Sequence, residues 1–358
     1  MPAEPVAWDL AERVAVRVGG REPFGDSYHV DSLLPDFEEL TREAEALVAA
    51  ETGLVADGPA RVRVTDRAGW IHANIRSFQR LLAPLTERVG DKLAANRTAS
   101  TLTRNVSGVE LGSLLGWMST RVLGQYDLLL VEGQDTEDQD IVYYVGPNVL
   151  ALEKRFGFPP REFRLWLALH EVTHRAQFTG VPWLRPHFLS LVDGVVGSIE
   201  PDPGRLAKSI RAAVDQMRAG VNPLDDGGLV ALFASDEQRD VLDRIGGMMS
   251  LVEGHGDVTM DRAGAGRIPS AERFSRVLRA RRAKKPGLAK AVQKLAGIEA
   301  KMKQYELGER FIAAVESSGH HELLRRVWEG PENLPTMAEI RDPSAWIARL
   351  GAASAVWE

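Results

Sequence analysis

His170, Glu171 and His174 stand as His-Glu-Val-Thr-His inside an apolar run from Phe163 to Phe178. If that run is helical, residues four apart share a face, so the two imidazoles can meet one metal ion. Glu171 lies one step round from His170 and three before His174, close enough to hold a water on that metal. Neutral imidazoles suit Zn2+, a zinc ion acidifies its water, and a neighbouring carboxylate takes the proton. Trp166, Leu167, Leu169 and Phe178 around the motif predict a buried helix. There a cluster of two His and a Glu needs a partner, which a chance match on a solvated face would not.

Two histidines do not hold a catalytic zinc; a third protein ligand is expected, with one position left for water. An extension of the motif by Gly at 177 and His at 180 is absent, since those positions are Gln177 and Gly180. The best source is Leu251-Val252-Glu253-Gly254-His255-Gly256-Asp257. On a helix Glu253 and Asp257 share a face, so Glu253 could bind the metal while Asp257 accepts the second N–H of a ligand histidine and fixes its tautomer. His255 is the competing ligand, or a donor to substrate from a glycine-flanked position. A tetrahedral oxyanion wants a donor besides the metal, for which Tyr305 and His255 are candidates.

The elements that must position these groups are mostly helices. Apolar spacing predicts helices over 6–18, 35–52 (stopped by Gly53), from Asp66 to about Val89, and over 107–123. Arg61-Val62-Arg63-Val64-Thr65 reads as a short strand. Gln125 to Val131 and Ile141 to Val145 are β-rich runs joined by an acidic connection, and together read as a hairpin. A helix follows with Pro147 early in it, and the histidine helix comes after Pro159-Pro160, ending at Gly180. Beyond 183 the candidates are helices at 183–197, 204–219, 236–261, 270–282, 287–317, 319–329 and a short piece near 343–350. The basic run Arg279 to Lys285 reads as an exposed helix end. The expected fold is mainly α, one unit over 1–358, subdivided if at all into 1–124 and a metal-binding 125–358.

Composition narrows the chemistry. With no cysteine among 358 residues, there is no disulfide, thiolate ligand or thiol nucleophile, and only His and carboxylates remain as strong metal ligands. A net charge of −6 gives no bulk attraction for nucleic acid. No basic-then-apolar leader opens the chain, and no window approaches the roughly 18 apolar residues a membrane span needs. The expectation is a cytoplasmic protein without nucleic-acid or membrane partners.

Several stretches together resemble an actinobacterial zincin-like family of presumed hydrolases, or zinc-dependent metalloproteases, associated with biosynthesis of a deazaflavin coenzyme. They are Trp8-Asp9-Leu10-Ala11, Asp66-Arg67 with Trp70 and Asn74, Val122 to Asp127, Gly146-Pro147-Asn148, His170 to His174, Glu253-Gly254-His255, and Lys301 to Phe311. The Glu253-x-x-x-Asp257 spacing is similar to that of the glutamate-ligand zincins (gluzincins). The resemblance implies a mainly helical fold with a minimal zincin-like metallopeptidase core and a small hairpin before the active-site helix. It further implies His170 and His174 as zinc ligands, Glu171 as catalytic base and Glu253 as third ligand. Hydrolysis of an amide, in a peptide or a small molecule, is the expected reaction, and a non-catalytic zinc-binding scaffold or regulator is the alternative. Zincins commonly hold substrate by main-chain pairing on a strand near the metal helix, which would place Tyr143 and Tyr144 against substrate.

Overall fold

A computed structural model describes residues 4–25, 27–83, 97–128, 140–197, 236–283 and 298–355. The expected hairpin connection, the helix at 204–219 and the first part of 287–317 fall outside them, as does the stretch leading to Val89. The chain forms two compact units, one of Met1–Gly180 with Thr259–Arg276, the other of Val181–Val258 with Val277–Glu358.

In the first unit, helix α1 (Trp8–Gly19) lies along a long helix, α4 (Arg97–Ser119). Gly108, Gly112 and Gly116 recur every four residues and so share one face of α4. A methyl group on each would come within 2.7, 2.3 and 2.4 Å of the carbonyl oxygens of Ala7, Ala11 and Ala15, respectively. Glycines and alanines match in ascending order, so the helices run parallel with their backbones in contact. Between them in sequence come α2 (Leu33–Thr52), strand β1 (Arg61–Thr65) and α3 (Arg67–Leu81). Asp66 caps α3 by accepting from the Gly69 amide at 2.6 Å, which satisfies one of the unpaired first-turn donors. Trp8, Ala11, Ala15, Trp70, Ile71 and Leu115 fill the core beneath.

Strands β2 (Gly124–Tyr126) and β3 (Ile141–Val145) pair antiparallel, as the hairpin expectation requires. The sheet has a third member, however: β1 pairs in parallel with β3, giving the order β1-β3-β2. That central position explains why every residue of β3 is buried, since a strand with neighbours on both sides and helices over it keeps no solvated face. The chain turns directly from β3 into α5 (Gly146–Phe156), with Pro147 in its first turn, and then into α6 (Pro160–Gly180), which carries the histidines.

Nearly the whole circumference of α6 is buried, and its charged residues survive there because each is paired. Arg164 donates to both carboxylate oxygens of Glu153 at 2.8 and 2.9 Å and also to Asp36. Arg175, 1% exposed, donates to Asp140, Glu45 and the Gly58 carbonyl. Helix α6 ends where it meets the backbone of Val55: a methyl on Gly180 would approach that carbonyl oxygen within 2.8 Å.

The second unit is helical among its described residues. It comprises α7 (Leu184–Gly197), most of α8 (Asp236–Ala263), α10 (Ile298–Ser317), α11 (His321–Arg326), α12 (Met337–Arg341) and α13 (Pro343–Ala355). Helix α9 (Ala271–Ala283) precedes α10 in sequence. Its Phe274, which belongs to the first unit, packs edge-on there against Phe158, Phe163 and Trp166. Phe311, Val315, Val327, Trp346 and Leu350 form the core of the second unit. The short helix α12 lies outside every stretch read as helical from sequence. It is nucleated by a Thr336–Glu339 capping box, which satisfies two terminal amides at once.

Helices α8 and α10 cross backbone on backbone at Gly254 and Gly308. A methyl on Gly308 would lie 1.9 Å from the Ser250 carbonyl oxygen, and one on Gly254 would lie 2.3 Å from the Gly308 carbonyl carbon. Backbone atoms cannot swing aside as a side chain can, so Gly308→Ala should destabilise the protein by about 1–3 kcal/mol. The measurement is a lower urea midpoint at unchanged slope. Gly351→Ala is the control, because that glycine is exposed in α13 with nothing within 4 Å of an added methyl; it should leave the midpoint unchanged or raise it.

Candidate metal centre

On α6 the four-residue spacing places His170 and His174 side by side, their rings 4.6 Å apart at an interplanar angle of 84°. The two Nε2 atoms face each other at 3.2 Å. Nitrogens bound at about 2.0–2.1 Å to one tetrahedral zinc ion stand roughly 3.3 Å apart, so the pair has the separation of two ligands on one ion. Gln177, a turn further on and fully buried, offers its side-chain oxygen to His174 Nδ1 at 3.0 Å. An acceptor there makes Nδ1 the protonated nitrogen and leaves the Nε2 lone pair for a metal. Sequence reasoning looked for a carboxylate, Asp257, in that supporting role and missed Gln177. The available signal was its position three residues after His174, which puts it on the same helical face.

Glu171 is 7% exposed and turned towards β2. Its Oε2 accepts the main-chain N–H of Tyr126 at 2.9 Å. Gly124, two residues earlier on that strand, abuts the same side chain: a methyl there would sit 2.7 Å from Oε1 and 2.8 Å from Cγ. A carboxylate buried this deeply keeps its charge only with donors supplied by the protein, and a main-chain amide is one.

Glu253 is 4% exposed on α8. It offers a carboxylate oxygen to a group in which the ligand atoms of His170, His174 and Glu253 all lie within 4.8 Å of one another. Helix α8 continues unbroken through Ala263. Just beyond it, Gly264 lies against Leu169, the residue before His170, at 3.3 Å from an added methyl. One continuous helix therefore carries the carboxylate. Gly254, next to Glu253, is helical and serves the close crossing at Gly308. The two imidazoles and one carboxylate gathered among the described residues are a donor set suited to zinc, fewer than the four protein ligands of a closed structural site.

The other expected site residues are placed as follows. His255 lies outside the group of three, and its ring packs edge-on against Trp328 at 4.9 Å. Asp257 is half-buried, one turn beyond Glu253. The side chain of Tyr305 lies outside the described residues. The substrate-strand expectation for Tyr143 and Tyr144 is overturned. Their strand β3 is the middle of the sheet, and its main-chain edges are already paired with β1 and β2. Tyr144 is fully buried, stacked on Phe37 and hydrogen-bonded to Thr41 at 2.8 Å. That burial pushes its hydroxyl well above the usual phenol range. Tyr143 is buried too, with the Arg63 guanidinium over its ring. The edge strand beside α6 is β2.

No helix among the described residues is long and apolar enough to cross a membrane. No curated protein matches the chain. A solved structure described as a presumed hydrolase with a novel fold, from Chloroflexus aurantiacus, is similar over 97% of this chain and 99% of its own, at 31% identity and a TM-score of 0.69. The model of the zincin-like metallopeptidases matches residues 6–347. Family and neighbour support a zinc-dependent hydrolase in general. A match of that extent, over a helix that presents two imidazoles at the spacing of one zinc ion, means that this chain belongs to the zincin-like metallopeptidase family.

Proposed function

We propose that the protein is a zinc-dependent hydrolase that cleaves amide bonds, in peptides above all, with His170, His174 and Glu253 holding the metal and Glu171 acting as base. The observation that carries this reading is the gathering of those three ligand atoms within 4.8 Å beside a buried carboxylate. A zinc ion held there would polarise the scissile carbonyl and bring the pKa of its water down towards about 7. Glu171 accepts the proton of the attacking water and returns it to the leaving nitrogen, as a general base that becomes a general acid. Gln177 keeps His174 in the ligating tautomer. A purely structural site would have no use for Glu171, since four protein ligands close such a site.

Metal analysis and turnover separate the roles. The purified protein should carry one zinc per chain, and His170→Ala or Glu253→Ala should carry little or none after dialysis. Full zinc retention by Glu253→Ala would exclude it as a ligand. Gln177→Leu should still bind zinc, with an affinity lowered about 10–100-fold, measured by competition with a chromophoric chelator.

Glu171→Gln should keep its zinc and lose turnover of a quenched-fluorescent peptide mixture by a factor on the order of 10²–10⁴. If the Glu171→Gln variant turned over as fast as the parent, the role of Glu171 as base would be refuted.

A further inference from the structure

The carboxylate of Glu171 is met by a main-chain amide of strand β2. Among the described residues strand β2 is an edge of the sheet. Its odd-numbered neighbours face β3: the Asp127 amide donates to the Ile141 carbonyl, and the Val145 amide donates to the Leu123 carbonyl. Alternation then turns the Tyr126 amide outward, away from the sheet, where it donates to Glu171 Oε2 at 2.9 Å. Gly124, on the same outward register, leaves the volume that the rest of the Glu171 side chain occupies.

The strand has its own support. Gln125, between those two residues, accepts from Trp70 Nε1 at 2.8 Å and donates to Asn74 Oδ1 at 3.1 Å. Asn74 in turn donates to the Trp70 carbonyl at 2.9 Å. Trp70 is 1% exposed and Asn74 9%. The indole and the amide thus tie the middle of a three-residue strand to helix α3. A strand this short has few ladder bonds to set its position, so a buried side-chain lock has a large share in where its outward amide points.

We propose that β2 is the positioning element for the general base. The Tyr126 amide holds one carboxylate oxygen, Gly124 supplies the space without which the carboxylate could not lie there, and the Trp70–Gln125–Asn74 lock keeps the strand in place. The proposal rests on the reading of Glu171 as base. Gly124 and Gln125 act through Glu171 and are positioning residues. The atoms that a methyl on Gly124 would meet are Oε1, Cγ and Cδ of Glu171, side-chain atoms rather than backbone. Gly124→Ala therefore folds, and the strain is relieved by moving Glu171.

The test is a double-mutant cycle on the zinc-loaded full chain, read by calorimetric binding of acetohydroxamate and by zinc content. Gly124→Ala should keep one zinc per chain and weaken acetohydroxamate about tenfold, the equivalent of one hydrogen bond to a charged group. In the Glu171→Ala background the same Gly124→Ala change should cost nothing, because its collision partner is gone. Gln125→Met, similar in size, enters no part of the site; it should weaken binding several-fold, again only when Glu171 is present. Equal losses in both backgrounds, or none in either, would overturn the positioning role. A parent protein that binds zinc but no acetohydroxamate would instead overturn the hydrolase reading, so the two failures are distinguishable.

Discussion

Burial of helix α6 on almost every side is the constraint from which the rest of the structure follows. A helix with solvent on one face can leave its polar groups to water. Helix α6 cannot, so His174 is met by Gln177, Glu171 by the Tyr126 amide, Arg164 by Glu153 and Asp36, and Arg175 by Asp140 and Glu45. Each unpaired group of this kind would cost about 1–3 kcal/mol, more if charged. The same pairing that makes the helix stable orients the groups proposed to do chemistry, so stability and geometry come from one set of contacts.

The small residues elsewhere serve that end at a distance. Gly108, Gly112 and Gly116 let α4 lie against the alanine face of α1, and Gly254 with Gly308 lets α8 meet α10. In both places the backbones are the contact surfaces, and backbone atoms have no rotamers. Crossings of this kind leave a helix little freedom to slide, which matters for α8 because it bears Glu253 on one turn and the Gly308 contact on the next residue. The aromatic cluster of Phe158, Phe163, Trp166 and Phe274 does the corresponding work at the start of α6.

Much of the architecture was legible from periodicity. Helices α1, α2, α3, α5, α6 and α8 begin or end within a few residues of the positions that caps, prolines and glycines indicate, because those residues act on the nearest backbone. The parallel partner of β3 was not legible: β1 looks like any isolated five-residue strand, and nothing local says which strand it joins so much further along the chain. Placing Tyr143 and Tyr144 on an accessible edge failed for that reason. Gln177 and the Tyr126 amide were also missed. A glutamine has no metal-site signature of its own, and a main-chain N–H is common to every residue but proline.

From the amino-acid order alone came the paired imidazoles, the carboxylate beside them and the helix that holds them, because a period of 3.6 residues is a property of the local backbone and needs no partner. Tertiary structure alone decided that Glu253, far along the chain, shares a group with the two histidines while its near neighbour His255 turns to Trp328. It alone decided that Glu171 rests on the outer amide of an edge strand. Both outcomes depend on how separate segments cross, and crossing is settled by packing across the whole core, which no short window of sequence contains.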